Sequence, residues 1–126
     1  MNQPLYKELS TKVLGMAFKI HNALGPGLLE HCYEEAFCVE LKYAGIPFER
    51  QKVLALEYRG CDIGGYIADL VVDNNLILEL KAVEALSPAH AAQVINYLRL
   101  SKVPVGYLIN FHGERVVWKR FAIRRE

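Results

Sequence analysis

The stretch Asp69-Leu70-Val71-Val72-Asp73-Asn74-Asn75-Leu76-Ile77-Leu78-Glu79-Leu80-Lys81 decides how this chain folds. Two runs of strand-forming aliphatic residues flank a polar triplet whose side chains favour turns and tolerate left-handed backbone, so the stretch reads as a hairpin. A loop of about three residues centred on Asn74 pairs Val72 with Leu76 and, carried outward, sets Asp69 directly opposite Glu79. Opposed residues share a face, with β-carbons roughly 5 Å apart. Lys81, two residues beyond Glu79, points the same way. Both acids interrupt apolar strands, where an unpaired carboxylate is costly to bury. Two carboxylates side by side repel unless a cation lies between them, and a hard divalent ion such as Mg²⁺ or Mn²⁺ suits oxygen donors. A lysine beside that ion can orient an attacking water and offset charge on a phosphate, a set suited to phosphodiester hydrolysis. The same spacing also fits a salt bridge from Lys81 to one acid with no chemistry. A one-residue change in the loop would send the two acids to opposite faces.

Outward from the hairpin, Phe48 to Tyr58 is rich in strand formers and Arg59-Gly60 makes a turn into the Asp69 strand. Gly64 and Gly65 there read as a bulge or a close approach of a neighbouring backbone. The apolar Leu76–Lys81 strand reads as central and covered on both faces. Upstream, Ser10 is a candidate N-cap, and Val13, Leu14, Ala17, Ile20 and Leu24 recur at helical spacing until Gly25-Pro26-Gly27 stops the helix. A second helix spans about 28–44, with Leu29, Cys32, Ala36, Val39 and Tyr43 as its inward stripe. Downstream, Ser87-Pro88 starts a third helix carrying Ala91, Val94, Ile95 and Leu98 inward to about Ser101. Two last strands, 103–111 and 116–123, meet at Gly113. The expected order is helix, helix, three strands, helix, two strands, a mixed α/β sandwich in a single domain over 1–126.

With 126 residues, 52% hydrophobic and 23% charged, the composition is that of a globular chain rather than a disordered one. No apolar run approaches the roughly 20 residues that span a bilayer, and the N-terminus carries no basic-then-apolar leader. Cys32, Cys38 and Cys61 form no close pair suited to zinc, so reduced thiols in a cytoplasmic protein are expected. The net charge of +1 neither requires nor excludes a nucleic-acid partner. Arg50, Lys52, Arg99, Lys102, Lys119, Arg120, Arg124 and Arg125 would matter for phosphates only if they cluster in space.

The order Asp69, then Glu79-Leu80-Lys81, matches the D…(D/E)xK signature of the PD-(D/E)XK nucleases. The chain further resembles the small bacterial proteins named for a GxxExxY motif, which here reads Gly27-Leu28-Leu29-Glu30-His31-Cys32-Tyr33. The resemblance runs from about Leu9 to Phe111 and includes Glu79-Leu80-Lys81-Ala82-Val83-Glu84 and His90-Ala91-Ala92-Gln93-Val94-Ile95-Asn96-Tyr97-Leu98. It implies an αβββαβ restriction-endonuclease-like core with a mixed central sheet flanked by helices. It implies a metal-dependent nuclease acting on nucleic acid, most simply DNA, with Glu30, Asp69 and Glu79 as metal ligands. Lys81 would assist the water, and Gln93 and Tyr97, a QxxxY element, would support substrate or metal. Tyr33 and Glu34 can share the helix face of Glu30. His90 reads more simply as a surface or hydrogen-bonded histidine. One departure is Ile67, where relatives often carry a basic residue two positions before the motif aspartate. A nuclease-fold module that binds nucleic acid or protein without catalysis is the alternative. A homodimer is a mild expectation.

Overall fold

The computed structural model describes residues 6–123. Arg124 and Arg125, and the first residues of the chain, lie outside them. The elements run α1 (Lys7–Leu24), α2 (Glu30–Tyr43), β1 (Phe48–Tyr58), β2 (Cys61–Val72), β3 (Leu76–Lys81), α3 (Pro88–Ser101), β4 (Val105–Asn110) and β5 (Val117–Ala122). The five strands form one sheet in the order β1-β2-β3-β4-β5. Only the β3–β4 pair is parallel, with α3 as its crossover, so the sheet is mixed.

The hairpin forms in the expected register, with Val72 opposite Leu76 and Leu70 opposite Leu78. Asp73 and Asn74 take left-handed backbone at φ 51° and 56°, the conformation that short polar side chains tolerate. Arg59 and Gly60, also at positive φ, turn β1 into β2. Gly65 is required by close approach: a Cβ there would stand 2.4 Å from the Leu54 carbonyl oxygen. The β1–β2 pairing slips by one residue nearby, between Ala55 and Glu57.

Helices α1 and α2 cover one face of the sheet, where Val13, Ala17, Ile20, Phe37 and Leu41 meet Leu70, Val72, Leu76, Leu78 and Leu80. Helix α3 covers the other, placing Tyr97 and Leu98 with Leu54, Ala68, Val71 and Ile77. β3 is therefore buried from both sides up to Leu80, as its unbroken apolar run requires. Gly25 caps α1 at φ 74°, its N–H donating to the His21 carbonyl. Ser87 caps α3 in a capping box whose second arm is His90, with Pro88 in the first turn.

Three expectations are corrected. Ser10 does not cap α1; the helix begins at Lys7 and Ser10 is buried within it. Leu24, at the frayed end of α1, is exposed. The inward stripe of α2 is Tyr33, Phe37, Cys38 and Leu41, with Leu29 and Tyr43 at 69% and 89% exposure. The aromatic and aliphatic side chains one position along fill the core better. Along α3, Tyr97 is buried more deeply than Ile95 or Ala91. Cys32, Cys38 and Cys61 are all free thiols. Among the described residues, no helix is long and apolar enough to cross a membrane.

Candidate active site

The β2–β3 ladder ends at Leu70–Leu78, and the next pair of residues, Asp69 and Glu79, uses side chains instead. The Asp69 N–H donates to Glu79 Oε1 at 3.4 Å, and the Leu80 N–H donates to Asp69 Oδ2 at 2.8 Å. Strand alternation breaks at the same point. Tyr66 and Ala68 pack on the α3 side, whereas Leu70 and Val72 pack against α1 and α2. Across the sheet, between the pairs Arg50–Leu70 and Lys52–Ala68, Gln51 sits at φ 52°. A non-glycine residue held there stores strain, which is most often found at functional sites.

Glu79 is 3% exposed. Burial, then the neighbouring Asp69 charge, push its carboxyl up to about 8, against the pull of Lys81. Burial also raises Asp69, opposed by the Leu80 N–H and assisted by the charge of Glu34. Burial and mutual repulsion thus both favour retention of a proton by the pair. Lys81 Nζ lies 3.5 Å from Glu79 Oε2 and donates to Gln93 Oε1 at 3.4 Å. The Tyr97 hydroxyl donates to Glu79 Oε2 at 3.5 Å. Burial, then the charges of Glu79 and Asp69, raise this phenol well above its ordinary range. Asp69, Glu79, Lys81, Gln93 and Tyr97 are therefore one connected cluster.

Glu30 is not in that cluster. It is exposed on the rim of a cleft of about 400 Å³ whose wall also includes Glu34, Arg50, Gln51 and Asp69. The α2 carboxylate tied to the centre is Glu34, one turn later. Glu34 is buried, accepts from Arg50 Nε at 2.5 Å and accepts from Gln51 Nε2 at 2.7 Å. The same Gln51 Nε2 lies 3.5 Å from Asp69 Oδ1. Tyr33 turns to the core: its hydroxyl donates to the Gly25 carbonyl at 2.7 Å, accepts from the Leu28 N–H, and its ring stacks on Phe111. The tyrosine of the motif thus fixes the loop before α2, while Glu30 and Glu34 line the cleft.

Among the described residues, no group of three Asp, Glu, His or Cys side chains is gathered as a ready metal cage. The donor set at the centre is the Asp69–Glu79 pair, hard oxygen ligands with raised proton affinity, and it fits a divalent ion that keeps most of its waters. The cations are dispersed. Arg50 is paired with Glu34 and Glu35, and Lys52 with Glu49. Lys119 and Arg120 stand on β5, at the far edge of the sheet. Ile67 is 52% exposed and pairs with Val53.

The sequence reading missed Gln51 and the tie from Glu34 to Asp69. Its available signal for Glu34 was the four-residue step from Glu30. For Gln51 no local signal existed, because its place depends on the slip in β1–β2.

A solved structure, that of SSO0001, superposes with a TM-score of 0.59 at 15% identity, over 95% of this chain and 61% of that one, a likeness of fold. The chain thus spans about three-fifths of that protein's length. No curated protein matches the chain. The family model of the PD-(D/E)XK nuclease superfamily matches residues 7–121. With Asp69 and Glu79-Leu80-Lys81 converging on the hairpin that this match covers, the chain belongs to the PD-(D/E)XK nuclease superfamily.

Proposed function

We propose that the protein is a Mg²⁺- or Mn²⁺-dependent nuclease hydrolysing phosphodiester bonds in DNA, of the GxxExxY type within its superfamily. The observation that carries the reading is the pair of half-buried Asp69 and buried Glu79 with Lys81 against it. Asp69 and Glu79 would hold the ion, with Glu30 and Glu34 lining the same cleft as Asp69. The bound ion supplies a Lewis acid for the phosphate and for the attacking water. Gln93 keeps the Lys81 ammonium beside Glu79, where it can orient the water and offset charge on a phosphate oxygen. Tyr97 stays protonated and so remains a donor to Glu79.

The test is cleavage of a broad set of DNA substrates with Mg²⁺ or Mn²⁺. Asp69→Ala and Glu79→Ala should abolish metal-dependent cleavage with the fold intact, and unchanged cleavage in both would refute the assignment. A second reading, a nuclease-fold module that binds without cutting, is favoured by the exposed Ile67 and by the pairing of Arg50 and Lys52 with acids. Tight DNA binding without metal uptake would select it.

A further inference from the structure

On the α3 side of the acid pair lies a groove of about 360 Å³ that shares Gln93 with the catalytic cluster. It is lined by Ala89, His90, Ala92, Gln93 and Asn96 of α3 and by Tyr66 of β2. The groove is one side chain from the chemistry. Gln93 accepts from Lys81 at 3.4 Å, and the Tyr66 ring meets Tyr97 edge-on at 5.6 Å, with the Tyr97 hydroxyl on Glu79. Its polar groups have capacity left. His90 Nδ1 accepts from the Ser87 N–H, which leaves Nε2 carrying its proton as a donor. The half-buried Tyr66 and Asn96 have no side-chain hydrogen bond of their own among the described residues.

Small apolar residues beside an aromatic ring, with amide, imidazole and phenol groups around them, suit a flat ring with polar edges. No Lys or Arg is among the described residues that line it, which argues against a phosphate as occupant. We propose that this groove receives one unpaired nucleobase of a single-stranded nucleic acid, the base next to the phosphate presented to Asp69 and Glu79, with Tyr66 as its stacking partner and Asn96 and His90 reading its edge. Aromatic stacking accepts any base, while an amide beside it discriminates among them. The inference rests on the nuclease reading for its orientation, but its test does not depend on cleavage.

The test uses the Glu79→Gln protein, in which the pair's charge is reduced and the strand stays whole. Its probes are single-stranded DNA oligomers of about ten nucleotides with one abasic position walked along the strand. One position should weaken binding about 5- to 100-fold when its base is removed, the range expected for losing one base–aromatic stack. Tyr66→Leu should erase the sensitivity at that position alone. Asn96→Ala should change the ranking of the four bases there and leave affinity for the abasic strand intact. Equal affinity for every abasic strand, no binding at all, or full sensitivity and unchanged base ranking in the two variants would each overturn the proposal. Cleavage by the wild type alongside such a result would leave the nuclease reading standing.

Discussion

Glu79 carries the electrostatic strain of this site, since its carboxyl is raised from 4.5 to about 8 by burial and by Asp69. A carboxyl that binds its proton more tightly folded than unfolded makes stability fall as pH rises between those values. Without divalent ions, thermal melts should therefore be highest near pH 4.5, decline to about pH 8 and flatten above it. Glu79→Gln should remove most of that slope and raise stability at neutral pH by about 0.5–2 kcal/mol, the usual gain when an active-site charge is relieved. A wild-type melt flat across this window would contradict the assignment of strain to the pair. Lys81→Met should leave ion binding in place while lowering cleavage about 10²–10⁴-fold, the usual share of a group that handles a proton or water in the transition state. Single-turnover rates beside calorimetry would read the two effects separately.

At the level of elements, the motif Gly27-Leu28-Leu29-Glu30-His31-Cys32-Tyr33 has a structural residue in Tyr33, while its Glu30 stands on the rim of the cleft. Tyr33→Phe removes the hydroxyl that spans Gly25 and Leu28. It should cost about 1–3 kcal/mol in denaturant unfolding, because a buried carbonyl loses its partner, with little effect on chemistry in protein that remains folded. Gly106 governs how closely α3 approaches the sheet: a Cβ there would lie 2.7 Å from Val94 Cγ1 and 3.3 Å from Leu98 Cδ2. Gly106→Ala should push the helix outward, cost about 1–3 kcal/mol by overpacking, and reduce cleavage by withdrawing Gln93 and Tyr97 from Glu79. Full activity in that variant would show that α3 does not position the centre.

Element order was legible because each element carries a local signal, such as Ser87-Pro88 before α3 or Asp73-Asn74-Asn75 between β2 and β3. The hairpin register from Val72–Leu76 to Leu70–Leu78 was legible for the same reason, since a short hairpin fixes register from its turn alone. The α2 stripe was not, because several offsets of its apolar residues fit a helical period and only packing against Phe111 and the sheet selects Tyr33, Phe37 and Leu41. Nor was Gln51. Counting from the Arg59-Gly60 turn sets Arg50 against Asp69, and the slip between Ala55 and Glu57 moves Gln51 into that place.

Across the whole molecule, the acid pair lies between two openings, the α2 cleft with Glu30 and Glu34 on one side and the α3 groove with Tyr66 and Asn96 on the other. The sheet supplies the acids and Lys81 from its centre, where both faces are packed, and each helix layer adds one wall. Such placement fixes the reacting groups on rigid strands and leaves specificity to the flanking surfaces.

The most direct test of the central claim is isothermal titration of Mn²⁺ into the wild type and into Asp69→Ala near neutral pH, in two buffers of different ionisation enthalpy. The account predicts a site in the wild type that releases about one proton per ion, as the proton held by the pair is displaced, and that is lost in the variant. Equal binding in both proteins, or binding without proton release, would contradict an ion held between Asp69 and Glu79.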